Sequence, residues 1–422
     1  MRKMKDSGVE WIGEIPVDWK LSKIGSVYDE RNEKVSDKDF APLSVTKQGI
    51  VPQLETAAKT DNGDNRKLIR KDDFVINSRS DRRGSCGISE YEGSCSLINT
   101  VLKPQTNMCN RYYGFVFKSD GFADEYYRWG HGIVDDLWST KWIDMKSIYI
   151  PAPDITEQER IADYLDAKCS KIDEIIEKQQ AIIEKLKEYK LSIITEGVTK
   201  GLKHNVKMKD SGVRFVDTIP YDWENRKMIT ILSTRVVDGP HESPELYDTG
   251  IPYISATAIV NGKIDFSLMR GYISKEYCEI CDKRYSPQRG DLLVVKLGAS
   301  TGQVAIVDTD ERFNIWVPLA AVRCNDEALP KFVYYVFQSD YFVRQMELSW
   351  TFGTQQTLGV QTIEKLRILL PPIAEQREIV KFLDTIYDNV GSKIENVEKM
   401  IEKLEEYKKS LIYEVVTGKK EV

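Results

Sequence analysis

The chain has 422 residues, 41% hydrophobic and 10% aromatic, which is too long for one core and suits two or three folded domains. Its 60 basic and 66 acidic residues give a net charge of −6, which argues against coating nucleic acid through bulk charge but leaves room for local basic surfaces. No apolar run approaches the roughly 20 residues of a membrane span, the N-terminus lacks a signal-peptide core, and the seven Cys have no framework spacing, so a cytoplasmic protein with reduced thiols is expected.

Residues 4–20 read M-K-D-S-G-V-E-W-I-G-E-I-P-V-D-W-K. The first variable segment, 21–150, alternates short apolar runs with turn signals. Residues 73–77 and 147–150 read as strands, and the aromatic-rich stretches 110–118 and 121–129 as short helices, together a compact α+β domain. Pro151 and Pro153 close it and launch a long amphipathic helix from 156 to 195. Ile172, Ile176, Ile183, Leu186 and Ile193 fall on one face at spacings of three, four and seven, the pattern of a coiled coil. Thr156 with Glu159 reads as a capping box, and Gly197 and Gly201 mark the end. Forty helical residues span roughly 60 Å. A small domain cannot bury such a rod, so it must meet something of similar length.

The second half repeats the first. Residues 208–224 read M-K-D-S-G-V-R-F-V-D-T-I-P-Y-D-W-E, with 10 of 17 positions identical to 4–20. In the second variable segment, 225–368, residues 290–296 and 303–307 read as strands around a glycine-bounded turn at 297–302. From 375 to 417 the helix pattern returns at an offset of 218: Glu157-Gln158 matches Glu375-Gln376, Leu165-Asp166 matches Leu383-Asp384, and Ile172, Ile176, Leu186 and Ile193 match Val390, Ile394, Leu404 and Leu411. Gln179 opposite Val397 is the polar exception. The chain therefore divides into a repeat element (1–20), a variable domain (21–150), a long helix (151–207), the second repeat element (208–224), a second variable domain (225–368) and a second long helix (369–422).

At the offset of 218 the turn 297–302 falls on 79–84, R-S-D-R-R-G. A shared turn with different chemistry suggests two related domains that read two different targets. Asn77, Arg79, Ser80, Arg82 and Arg83 in the first domain read either as a solvated surface turn or as candidate DNA contacts, because Arg can read guanine bidentately and Asn adenine. Arg66, Lys67, Arg70 and Lys71 read as phosphate contacts or plain surface. The second domain offers Lys296, Ser300, Thr301 and Gln303, with Thr354, Gln355 and Gln356 as another polar loop and Ser255, Thr257 and Asn261 as weaker candidates. On the helices, Ile175, Ile182, Tyr189, Met400 and Tyr407 form a second apolar stripe wider than a two-helix seam needs, and read as a partner-docking surface or, alternatively, as packing against the chain's own domains.

Catalytic signatures are missing. There is no Asn/Asp-Pro-Pro-Tyr adenine-methylation motif, no G-x-G-x-x-G fingerprint and no phosphate-binding loop. His131, His204 and His241 are not spaced to share a metal, and Cys278-x-x-Cys281 is a zinc half-site without a second pair.

Four stretches carry a family resemblance. Residues 367–384, R-I-L-L-P-P-I-A-E-Q-R-E-I-V-K-F-L-D, and their first copy at 149–166 resemble the helix-launching region of specificity subunits in Type I restriction–modification systems. T-F-G-T-Q-Q-T-L at 351–358 resembles the loop before the last strand of a target recognition domain, and V-K-M-K-D-S-G-V before I-P-x-D-W is similarly typical. The resemblance runs over the whole chain in the right order. It implies an α+β protein with an internal pseudo-two-fold repeat, in which two target recognition domains are joined by two long antiparallel helices. Each domain would bind one half of a split double-stranded DNA sequence. The helices would act as spacer and dock two methyltransferase subunits, with restriction subunits joining them. The chain itself would be non-catalytic and hold no cofactor. S-adenosylmethionine would belong to the adenine methyltransferase partner, and ATP and Mg to the restriction partner. The alternative from another class is a coiled-coil scaffold for protein assembly without DNA readout.

Overall fold

The computed structural model describes residues 2–54, 63–79, 82–132, 138–352 and 355–422. These form two compact units, one of residues 1–180 with 398–422, the other of residues 181–397.

The first unit opens with a hairpin, β1 (Met4–Asp6) against β2 (Glu14–Pro16), followed by β3 (Lys20–Lys23) and β4 (Tyr28–Glu30). β4 joins β5 (Phe74–Asn77), β6 (Cys86–Ile88) and β7 (Asn99–Pro104) in an antiparallel sheet of order β6-β5-β7-β4. Two helices follow, α1 (Asn110–Lys118) and α2 (Asp120–Arg128), and then β8 (Tyr149–Ala152), which pairs with β3. Phe74, Phe117, Phe122 and Tyr28 fill the space between sheet and helices.

The second unit repeats this plan with β9 (Met208–Val213), β10 (Val216–Pro220), β11 (Glu224–Lys227) and β12 (Val237–Asp238). β12 joins β13 (Leu292–Val295), β14 (Val304–Ile306) and β15 (Leu319–Val322) in a sheet of order β12-β15-β13-β14. Read from the other edge, this is the order of the first unit's sheet. α3 (Pro330–Gln338), α4 (Asp340–Leu348) and β16 (Arg367–Leu370) complete it, with β16 pairing to β11. An aspartate stands just before the corresponding strand in each unit, and both are buried. Asp73 takes a guanidinium from Arg31 at 2.6 Å and Asp291 one from Arg323 at 2.7 Å, although the two arginines come from different places in the sheet.

The long helices run from Ile155 to Lys200 and from Ile373 to Val416. The first does not start on Thr156. Asp154 Oδ1 accepts the Glu157 amide at 2.9 Å, so the capping group is Asp154, three residues before a glutamate. In the first unit Ile161 and Leu165 of the first helix share a core with Ile412 and Val416 of the second. In the second unit Ile379 and Leu383 share one with Ile194 and Val198. These are the same four positions at the offset of 218, with the helices exchanged. Each domain is thus sealed by the start of one long helix and the end of the other.

The repeated I-P-x-D-W element has a physical reason in this arrangement. Trp19 and Trp223 are both buried, and each receives the glycine that ends a long helix. Gly418 and Gly201 both have φ of +72°, and a Cβ on either would lie 3.1 Å from the indole. Glycine at the helix end permits the left-handed turn and the close approach together.

Candidate nucleic-acid interface

In the second unit the chain leaves β13 through a turn bounded by Gly298 and Gly302 and returns as β14, with Gly302 N donating to Val295 O at 2.8 Å. A second segment lies against this turn. Gly298 N donates to Gln356 O at 3.1 Å, Leu358 N donates to Lys296 O at 2.8 Å, and the Thr301 hydroxyl donates to Gly298 O at 2.6 Å. The two polar stretches chosen separately from the sequence are therefore neighbours. Gln303 and Gln355 are exposed, while Ser300 and Gln356 are half-buried.

Two expected contacts turn inward instead. Lys296 is only 8% exposed and pairs with Asp238 of β12 at 2.9 Å; Thr301 is equally buried. Asp238 also holds Arg284 and, at 3.2 Å, His241, both of which reach solvent. Burial pushes the Asp238 carboxyl up, but the hydrogen bond and charge of Lys296, helped by Arg284 and His241, outweigh it and hold the group below the usual carboxylate range. Among the weaker candidates, Ser255 is buried, Thr257 is exposed, and the Asn261 carbonyl accepts the Tyr387 hydroxyl of the second long helix.

The first unit has the same arrangement with other side chains. Asn77 N donates to Ser85 O at 2.9 Å as the turn closes, and Thr140 N donates to Ser78 O at 3.0 Å. Thr140 and Ser78 match Leu358 and Lys296 at the offset of 218. Arg79, Arg82 and Arg83 are exposed, and Arg83 pairs with Asp124 of α2. Asn77 Oδ1 accepts the Arg79 amide at 3.0 Å. Trp138 and Ser139, which match Gln356 and Thr357, lie beside this turn and went unnoticed in the sequence; the same offset would have found them. Ser80 and Thr354 lie outside the described residues.

Arg66 and Lys67 are corrected as surface or phosphate contacts. Both are buried, with Arg66 bound to Ser94 at 2.8 Å and Lys67 to Glu30 at 3.3 Å. Arg70 and Lys71 are exposed. On the long helices Ile175, Ile182, Tyr189, Met400 and Tyr407 are all exposed, at 41–51%. Cys278 and Cys281 pack in the core of the second unit, where burial raises both thiols, the second to about 11. No helix among the described residues is long and apolar enough to cross a membrane.

Residues 220–406 match the family model of the Type I restriction modification DNA specificity domain. Over 437 aligned residues the chain is 24% identical to the putative type I restriction enzyme MjaX specificity subunit of Methanocaldococcus jannaschii, covering 97% of this chain and 95% of the relative. It is 25% identical over 264 residues to the type I restriction enzyme EcoBI specificity subunit of Escherichia coli, covering 60% and 55%. Its fold is shared, with a TM-score of 0.69, by a chain in a solved type I R-M system that is 15% identical and is covered to 98%, against 95% of this one. Together with the duplicated sheet, the paired loops and the two long helices, these relationships make the chain similar over nearly its whole length to a specificity subunit of a Type I restriction–modification system.

Proposed function

We infer that the chain is the DNA-reading, non-catalytic subunit of such a complex and recognises a split target, one half with each unit. The observation that carries this is the pair of equivalent loop clusters. Each unit presents two hydrogen-bonded segments at the same end of the same sheet, Arg-rich in the first and rich in Ser and Gln in the second. Structural duplication with chemical divergence is what reading two unlike half-sites requires, since base edges are told apart by their donor and acceptor patterns.

Within these clusters Arg79, Arg82, Arg83 and Asn77 contact one half-site, and Gln303, Ser300, Gln355 and Gln356 the other. Ser80 and Thr354 belong to the same loops by sequence. Lys296 and Thr301 brace the second turn from inside. A chain of net charge −6 gains much of its phosphate contact from partners, because phosphate neutralisation carries the salt-dependent part of affinity. The exposed stripe of Ile175, Ile182, Tyr189, Met400 and Tyr407 docks two methyltransferase subunits, and restriction subunits join through them. S-adenosylmethionine is held by the methyltransferase, ATP and Mg by the restriction subunit, and this chain holds no cofactor.

The test is single-molecule sequencing of DNA modified by the complex reconstituted with its methyltransferase partner. Adenine methylation in a split motif is expected, and a continuous motif would overturn the two-domain reading.

A further inference from the structure

Between the end of β5 and α2 in the first unit lies a cavity of about 20 Å³, room for one methyl group or one water. Buried Phe122 and Tyr126 form its floor. Tyr127 and Trp138, with ring centroids 5.8 Å apart, line it as a wall, and Asn77, half-buried, and Arg79, exposed, line it as well and are taken as its rim. The wall is fixed in place. Trp138 Nε1 donates to Tyr127 O at 2.9 Å, and a Cβ on Gly130 would lie 2.3 Å from that nitrogen, so glycine lets the indole lie there. The segment carrying Trp138 is pinned to α2 twice: the Tyr126 hydroxyl donates to Thr140 O at 3.1 Å and the Thr140 hydroxyl to Tyr126 O at 2.7 Å.

Size and polarity select the occupant. The cavity is far too small for an extruded base. A water held there needs two to four polar partners; Ser78, Arg83 and Thr140 also line the cavity, but their side chains are engaged by Ile98 O, Asp124 and Tyr126 O, and the rest of the lining is mostly aromatic carbon. Among the groups lining the DNA major groove, the methyl-sized apolar one is the C5-methyl of thymine, which sits beside the O4 acceptor. The rim supplies donors for that acceptor, namely the Arg79 guanidinium and Asn77 Nδ2, the Asn77 oxygen being engaged by the Arg79 amide.

We propose that this socket takes the C5-methyl of one thymine in the half-site read by the first unit, with Arg79 or Asn77 donating to O4. The proposal rests on the reading of 79–84 as a DNA-facing turn. It assigns the methyl contact to one half-site, because the position of Trp138 is held by Gln356 in the second unit.

Deoxyuridine differs from thymidine only by lacking this methyl. After sequencing has defined the motif, each thymine of the half-site would be replaced in turn by deoxyuridine, and binding by the reconstituted complex measured. One position should weaken binding by about fourfold to tenfold. The penalty should vanish in Ala123→Leu, which fills the socket, and in Trp138→Ala, which removes its wall, while continued reading of the other half-site reports that both variants fold. A half-site without thymine, no sensitive position, or a penalty that persists in both variants overturns the socket alone. A complex that methylates no split motif overturns the wider reading and the socket with it.

Discussion

Gln158 Oε1 accepts the Cys109 amide at 2.9 Å, just ahead of α1, while its Nε2 donates to Pro153 O at 2.8 Å. Gln376 does the same for Leu329, ahead of α3, at 2.8 Å, and donates to Pro371 O and Glu327 O. The glutamine of each E-Q pair thus ties the start of a long helix to the start of a domain helix, and both side chains are buried. Losing either amide strips a backbone N–H and carbonyls of their partners, and for Gln376 only the Pro371 carbonyl lies in a fully buried bond; a polar group left buried and unpaired costs about 1–3 kcal/mol. Gln376→Ala should therefore destabilise the second unit by about 2–4 kcal/mol and leave the first unaffected, as hydrogen exchange resolved by domain would show. A uniform loss of protection in both units would contradict this.

The Asp238 cluster predicts acid sensitivity of the second unit. The folded carboxyl titrates below its unfolded value of about 3.9, so its contribution is fully present above that pH and fades as pH falls through the lower folded value. Asp238→Asn should lower stability at neutral pH, because Lys296 is left buried without its counter-charge. It should also lose less stability than the parent on acidification below about pH 4. Parallel curves in that range would remove the carboxylate from the account.

Much of this organisation was legible in the sequence because a duplication prints the same pattern twice. The offset of 218 located both long helices, aligned the two turns and would have paired Trp138 with Gln356. What escaped depends on long-range partners that no local pattern carries. Lys296 reads as an exposed loop cation until Asp238, 58 residues earlier in the chain, is placed beside it. Arg66 and Lys67 read as surface charge, yet Ser94 and Glu30 draw them inside. The start of the first helix was displaced because Asp154 and Thr156 are both competent caps, and backbone geometry decides between them.

Arg82→Ala combined with Arg83→Ala should relax or abolish methylation at one half-site only. Both side chains are exposed on the turn of the first unit, and a bidentate guanine contact made by either would be worth about 1–3 kcal/mol. Sequencing of modified DNA reads the outcome directly. Uniform weakening across all sequences, with a shallower salt dependence, would mark the pair as phosphate contacts.

Ile182 and Met400 are 41% and 49% exposed, so replacing them with Glu should change the stability of the free chain by no more than about 0.5 kcal/mol. If the stripe docks the methyltransferase, the same changes bury charge at an interface and should weaken co-purification of that subunit by tenfold or more, at about 1.4 kcal/mol per decade. Full assembly by the double variant would assign the stripe no role in docking.

The length of the helices makes the last prediction. At 46 and 44 residues they extend roughly 69 and 66 Å, against about 34 Å between neighbouring half-sites on one face of DNA. Four residues inserted into each helix, next to Gln179 and Val397, add about 6 Å to each and turn the following segment by about 40°. The insertion preserves the apolar stripe approximately, because four residues are close to one turn. At about 3.4 Å per base pair the spacer of the methylated motif should grow by one or two base pairs, with both half-sites unchanged in sequence. Sequencing of DNA modified by the lengthened complex measures this. An unchanged spacer would mean that the helices hold partners without setting the distance between the two reading domains.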